Sequence, residues 1–265
     1  MSKTRHGVHA CPSLRTPVAT LLYDFTHGHV IPIHFHPEDQ LVYATRGVMT
    51  VRTDQGTWVV PPRRAVWIPA KTPHSIVMSG PVSMRTIYLR AHLARRLPRS
   101  CCVVNVSPLL QELIVHACQF PRMNRRSKAH AHLIDLMLDQ LETVEAIPLQ
   151  LPMPADSRAQ RVAAILQRDP SDERSLAALC RQAGASKRTI ERVFERETNL
   201  SLGRWRQQLR LLRSLQLLAA GEKITSVALE AGYSTPSAFI AMFRKTLGTT
   251  PRQYFECGPL HSTSH

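Results

Sequence analysis

The sequence predicts an α+β chain: a small antiparallel barrel or sandwich in the N-terminal part, then helices almost to the C-terminus. Three observations predict it. Residues 18–92 fall into short runs rich in Val, Ile, Thr and aromatic residues, with turn chemistry between them. Residues 106–145 switch to the apolar period of a helix. Beyond a proline-rich stretch, the rest of the chain carries one helical pattern twice.

The strands come first. Val30-Ile31-Pro32-Ile33-His34-Phe35-His36 reads as extended, and Pro32, with no amide hydrogen to donate, places it at an edge or a strand end. Strand alternation would point His34 and His36 to the same face. Gln40 to Arg52 is rich in Val, Tyr and Thr; Thr53-Asp54-Gln55-Gly56 is a turn, and Thr57-Trp58-Val59-Val60 resumes a strand. Ala65-Val66-Trp67-Ile68 and Ser83 to Leu89 continue the pattern.

In the middle region Leu109, Leu110, Leu113 and Ile114 form one apolar stripe, and Leu133, Leu136, Met137, Leu141 and Val144 another. Two such amphipathic helices cover the strands, form a homodimer face, or do both. Ile147 to Ser157 holds three prolines in eleven residues and reads as a stiff linker and domain boundary. The expected organisation is a β domain over 1–100, a helical covering or dimerisation segment over 101–146, a linker over 147–157, a helical domain over 158–257 and a tail over 258–265.

Charge narrows the partners. The 34 Lys and Arg against 19 Asp and Glu give a formal net charge of +15, a field that favours polyanions, nucleic acid first. The excess is spread: 17 basic against 9 acidic residues in 1–150, and 17 against 10 in 151–265. No apolar run is long enough to span a bilayer, and Met1 to Ala10 lacks the hydrophobic stretch of a secretory signal. Cys11, Cys101, Cys102, Cys118, Cys180 and Cys257 form no C-x-x-C pair, which suits a reduced cytoplasmic protein without a membrane partner. The adjacent Cys101 and Cys102 are either packing residues, the preferred reading, or a redox pair.

The repeat carries the most information. Its first copy runs from Leu176 to Trp205 and its second from Ile224 to Tyr254. Gly184 and Gly232 are 48 positions apart; Phe194 and Phe243, like Trp205 and Tyr254, are 49 apart. Each copy reads as helix, tight turn, helix, with the glycine supplying a positive φ in the turn. Ala183 and Ala231 allow close helix approach, and Ser186 and Thr235, the latter followed by Pro236, cap the second helix. With Ile190, Val193 and Phe194 turned inward, Lys187, Arg188, Glu191, Arg192 and Arg196 remain on the outer face. Such a face suits the major groove of double-stranded DNA, where Arg reads guanine and Glu accepts from cytosine. A long helix over Arg204 to Ala220 would set the two units about 34 Å apart, one DNA turn.

Ile224-Thr225-Ser226-Val227-Ala228-Leu229-Glu230-Ala231-Gly232-Tyr233, with Ser237, Phe239, Phe243-Arg244-Lys245, Gly248 and Thr250-Pro251-Arg252-Gln253-Tyr254, resembles the signature of AraC/XylS-type transcriptional regulators over residues 158–257. The resemblance implies that both recognition helices enter adjacent major-groove segments. It assigns base reading to Arg188, Glu191 and Arg192 in the first and to Pro236, Ser237, Ile240 and Ala241 in the second. Arg244, Lys245 and Arg252 become phosphate anchors. Asn199 stands where the family usually has glycine, and Asn tolerates the left-handed conformation.

The strand region carries a second resemblance. Gly28, His34-x-His36, Gln40 and Gly47 resemble the first cupin motif, with Gln40 in place of its glutamate; Pro69-Ala70-Lys71-Thr72-Pro73-His74 resembles the second, with Lys71 in place of a glycine. The implied fold is a cupin-like antiparallel β-barrel, a common effector sensor in AraC-type regulators. His34, His36 and His74, with Gln40 or Glu38, would converge there as possible ligands for Zn, Ni, Fe or Cu. Three readings stay open: a metal site, a metal-free small-molecule pocket, and a structural set of histidines. The remaining histidines, among them His6, His9, His27, His29, His130 and His132, read as surface residues. The whole chain reads as a dimeric, cytoplasmic, sequence-specific transcription regulator and as no enzyme; the family resemblance implies activation, with RNA polymerase as a further partner, while the sequence itself leaves activator against repressor open. Its rivals are a metal-dependent cupin enzyme with an accessory DNA domain and a non-specific architectural DNA-binding protein.

Overall fold

A computed structural model describes residues 16–95, 97–142 and 149–256. Cys11, Cys257, His6, His9, Val144, the first residues of the expected linker and the tail over 258–265 lie outside the described residues. The strands are β1 Val18–Phe25, β2 Val30–His34, β3 Asp39–Thr53, β4 Gly56–Val60, β5 Arg64–Ile68, β6 His74–Leu89, β7 Cys102–Asn105, β8 Arg122–Met123 and β9 Gln150–Pro152. The helices are α1 Pro108–Ala117, α2 Lys128–Glu142, α3 Ser157–Arg168, α4 Leu176–Gln182, α5 Lys187–Thr198, α6 Leu202–Ala219, α7 Ile224–Glu230, α8 Pro236–Leu247 and α9 Pro251–Glu256.

All strand pairing is antiparallel, and β3 and β6 form the spine. Their shared ladder shifts register between Ala44 and Val48, so the strands bend and serve two half-sheets. One half runs β7-β5-β3-β6-β1-β8; in the other, β9 and β4 continue β3 while β2 flanks β6. β2 pairs with β6 alone among the described strands, which is the edge position that Pro32 requires.

Each half-sheet packs its own helices. Leu110, Ile114, Ile134 and Met137 bury against Leu41, Tyr43, Trp67 and Ile87, so α1 and α2 cover the first half. Leu109 and Leu136, on the same two helices, stay exposed at 50% and 41%. On the second half one continuous core runs from Val51, Trp58 and Ile76 into Trp205, Leu212 and Leu215 of α6, and on to Phe194 and Phe239.

The proline-rich segment is not a free-standing linker. Its Gln150–Pro152 part is β9, paired with β4. Trp205 Nε1 donates to Pro152 O at 2.7 Å, and Gln208 Nε2 donates to Gln150 O. The prolines hide a two-residue alternation: Leu149 and Leu151 point inward, at 1% and 2% exposure, and that apolar pair makes a strand of the segment.

Candidate functional site

Two three-helix units occupy the C-terminal part, α3-α4-α5 and α6-α7-α8. In the first, Ser186 Oγ accepts from Thr189 N at 3.1 Å; in the second, Thr235 Oγ1 accepts from Ala238 N at 3.2 Å, with Pro236 beginning the helix. Gly184 and Gly232 turn at φ +79° and +74°, and Asn199 closes α5 at φ 55°. The chain repeats a further device. Arg161 Nη2 donates to Ala183 O at 2.8 Å and Arg210 Nη1 donates to Gly232 O at 3.1 Å. Both arginines therefore anchor the turn from the first helix of their unit. Sequence reading missed this pair, although Arg161 and Arg210 stand at the same 49-residue offset as the motifs.

Packing the inner faces leaves the expected outer ones. Ile190, Val193 and Phe194 are buried on α5 and Phe239 and Phe243 on α8. Lys187, Arg188, Arg192 and Arg196 are exposed, as are Ser237, Ala241, Arg244, Lys245 and Arg252. Glu191 is half-buried and pairs with Lys187 at 3.4 Å. Pro236 and Ile240 are half-buried, and Ile240 leans on the core, which leaves Ser237 and Ala241 as the exposed ones among the four base-reading candidates of α8. Arg196 pairs with Glu197 at 2.6 Å. Glu197 Oε2 in turn accepts from Ala155 N and Asp156 N at 2.8 and 3.1 Å, tying the end of α5 to the start of α3. Neither α5 nor α8 has an acidic residue in its first turn, so no side-chain carboxylate there offsets the positive dipole end of the helix.

The second cluster sits between the two half-sheets. Ligand atoms of His34, His36 and His74 lie within 4.8 Å of one another. His74 begins β6; of the other two only His34 is inside a strand, for β2 ends there, and the kink after it still returns His36 to the same side. Each ring is held by a backbone carbonyl: His34 Nδ1 lies 2.9 Å from Pro32 O, His36 Nδ1 2.7 Å from Glu38 O and His74 Nδ1 2.9 Å from Thr72 O. A neutral ring that donates from Nδ1 presents a lone pair at Nε2. His74 Nε2 is buried without any partner. His36 Nε2 lies 3.0 Å from Gln40 Oε1. The Gln40 amide is set in this orientation by its other contacts: its Nε2 donates to Thr86 Oγ1 and Tyr88 Oη at 2.9 and 3.0 Å while Thr86 Oγ1 donates to Leu41 O. Two acceptors therefore face each other. Burial lowers the pKa of His36 and pushes that of His74 down to about 4, so a proton is disfavoured as the bridge. A divalent metal would resolve the conflict, since bonds of about 2.0–2.2 Å to nitrogen and oxygen place neighbouring ligands roughly 3–3.5 Å apart. The donor set fits such an ion. Glu38 supplies only its backbone carbonyl to this set and its carboxylate stays outside the cluster.

The loop carrying His74 is tied to the first motif. Asp39 Oδ1 accepts from Ala70 N at 2.8 Å, and Lys71 N donates to His36 O at 2.7 Å. Lys71 adopts φ +62° with its side chain in solvent, so this position does demand a glycine-like backbone. His27, read as a surface residue, also has a structural contact: its Nδ1 accepts from Gly80 N at 2.9 Å.

A strand domain with a buried histidine cluster, joined to two helix-turn-helix units with basic outer faces, defines a DNA-binding transcription regulator with a ligand-binding domain. The AraC-like ligand binding domain family matches residues 17–197 and a helix-turn-helix domain family matches 179–256. The HTH-type transcriptional regulator NimR of Escherichia coli is 31% identical over 89% of this chain and 86% of its own length. The virulence regulon transcriptional activator VirF of Yersinia enterocolitica is 25% identical over 82% and 79%. Among solved structures, the DNA-binding domain of AdpA in complex with a target DNA is 27% identical over 38% of this chain and 92% of that one, with a TM-score of 0.36. The chain belongs to the AraC family of transcriptional regulators. No helix of the described residues is long and apolar enough to cross a membrane.

Proposed function

We propose that this protein is a metal-responsive AraC-type activator. A divalent transition ion (Zn, Ni, Fe or Cu) is held by Nε2 of His34, His36 and His74 and by Oε1 of Gln40, and its occupancy biases how α5 and α8 engage promoter DNA. The carrying observation is the pair of facing acceptors, His36 Nε2 and Gln40 Oε1, beside the orphaned His74 Nε2. Imidazole nitrogens with an amide oxygen suit these ions and leave Mg or Ca poorly served. The ion can shift DNA binding only by as much as it binds one conformation better than the other.

The active species is a cytoplasmic homodimer. Exposed Leu109 and Leu136 give α1 and α2 an apolar surface beyond what the sheet needs, and two copies would bring two pairs of recognition helices to one promoter. Recruitment of RNA polymerase follows from the activator reading, which rests on relatives such as VirF.

The deciding experiment is elemental analysis of the purified chain beside His34→Ala and His74→Ala, with DNA affinity measured on a site selected from random duplexes. Near-stoichiometric metal in the parent alone, with affinity changing at least tenfold between chelated and metal-loaded protein, is expected. If no metal is retained after incubation with all four ions, the cluster is a metal-free pocket or a structural set.

A further inference from the structure

Away from the histidines and from both recognition faces, a cleft of about 700 Å³ opens where β3, β4 and β9 meet α3, α6 and the end of α7. Its lining separates by chemistry. Val59, Leu151, Leu209 and Leu212 provide an apolar floor, and three guanidinium groups surround it: Arg52 from the sheet, Arg168 from the last turn of α3 and Arg213 from α6. Two carboxylates also line the cleft, and both are engaged. Asp169 Oδ1 accepts from Ser171 N at 3.0 Å, and Glu230 Oε2 stands 4.0 Å from Arg213 Nη2. Arg52 and Arg168 have no ion-pair or hydrogen-bond partner among the described residues. Guanidinium forks are built for carboxylate, sulfonate or phosphate oxygens, and an apolar surface beside two guanidinium groups without ion-pair partners selects a ligand that has both parts.

We propose that this cleft is a second ligand site, separate from the histidine cluster, for an amphipathic organic anion. The headgroup lies between Arg52 and Arg168, and the apolar body lies over Leu209 and Leu212. The three arginines belong to three parts of the chain: the sheet, the first helix-turn-helix unit and the helix that joins the two units. An occupant touching all three ties the ligand-binding domain to both DNA-reading units, so this site acts on the docked arrangement and not on either domain alone.

The test uses the full chain and 1-anilinonaphthalene-8-sulfonate, an apolar fluorophore carrying one anionic group. One saturable equivalent per chain is expected. Its affinity should fall with added salt and drop at least tenfold in the Arg52→Ala/Arg168→Ala double variant. Arg188→Ala, on the recognition face, and treatment with EDTA should leave it unchanged; insensitivity to EDTA separates this site from the metal reading. Neutral N-phenyl-1-naphthylamine should bind at least tenfold more weakly. Absence of saturable binding, equal affinity in the double variant, or equal affinity for the neutral dye would overturn the proposal. Both arginines are exposed, so the double variant should fold, and the salt dependence of the parent protein gives an independent reading.

Discussion

Gln40 shows how much one side chain settles. Its amide is oriented by Thr86 and Tyr88, and that orientation, not its identity alone, aims an oxygen at His36. The pattern of histidines was readable in sequence; the orientation was not, because Thr86 and Tyr88 lie 46 and 48 residues away. Gln40→Glu would replace a neutral ligand with a charged one while Tyr88 Oη turns to donate to it. Zinc affinity, measured by chelator competition, should rise at least about tenfold, and Gln40→Ala should lower it by a similar factor. A Glu variant that binds zinc no better would mean that Gln40 lies outside the coordination sphere. The cysteines behave oppositely to a redox sensor. Burial pushes the thiol of Cys101 up to about 12 and that of Cys118 up to about 11, and raises Cys102 as well. The thiolate is the reactive form, so iodoacetamide at pH 8 should modify these three much more slowly in the folded chain than in urea. Rapid modification of folded Cys102 would restore the redox reading that its place beside Cys101 suggested.

Among the elements, the repeat was legible because each unit spends its conspicuous residues locally: a cap, a glycine turn and an inward aromatic recur at one spacing. The two caps should be worth about 1 kcal/mol each, so Ser186→Ala and Thr235→Ala should lower stability by similar amounts in urea unfolding. The outer face of α5 makes a sharper test. Arg188 is exposed in the first turn of α5, which has no acidic residue, and Arg188→Ala should cost about 1–3 kcal/mol on a selected site and much less on random duplex. Equal losses on both would reduce Arg188 to a phosphate contact. What the elements hid from the sequence was pairing. β9 reads as linker because Pro148, Pro152 and Pro154 dominate the composition of the stretch around it, and β7 and β8 are four and two residues long, too short for alternation to register.

On the scale of the molecule the sequence divides cleanly at the prolines while the structure does not. The docking contacts were invisible in sequence because each residue involved already had a role within its own element: Thr50 in a strand, Gln216 on a helix, Gly80 in a bend. Gln216 Nε2 donates to Thr50 Oγ1 at 2.8 Å. A Cβ at Gly80, where φ is +72°, would collide with the carbonyl oxygen of Ala219 at the end of α6. β6 therefore begins at His74 in the candidate metal cluster and, six residues on, touches the helix that spaces the two recognition helices. A shift at one end of this strand can reach the DNA-reading half through a packed contact, with no hinge required. The continuous core across the interface predicts one cooperative unfolding transition in calorimetry. Gly80→Val should cost roughly 1–3 kcal/mol from overpacking alone, and, by prising α6 from the sheet, should separate the trace into two transitions. Gln216→Ala, which removes one hydrogen bond without a collision, should lower stability by about 1 kcal/mol and keep the single transition. A Gly80→Val chain that still unfolds in one step, with unaltered DNA affinity, would show that the strain at this bend stays local and that β6 does not carry the coupling.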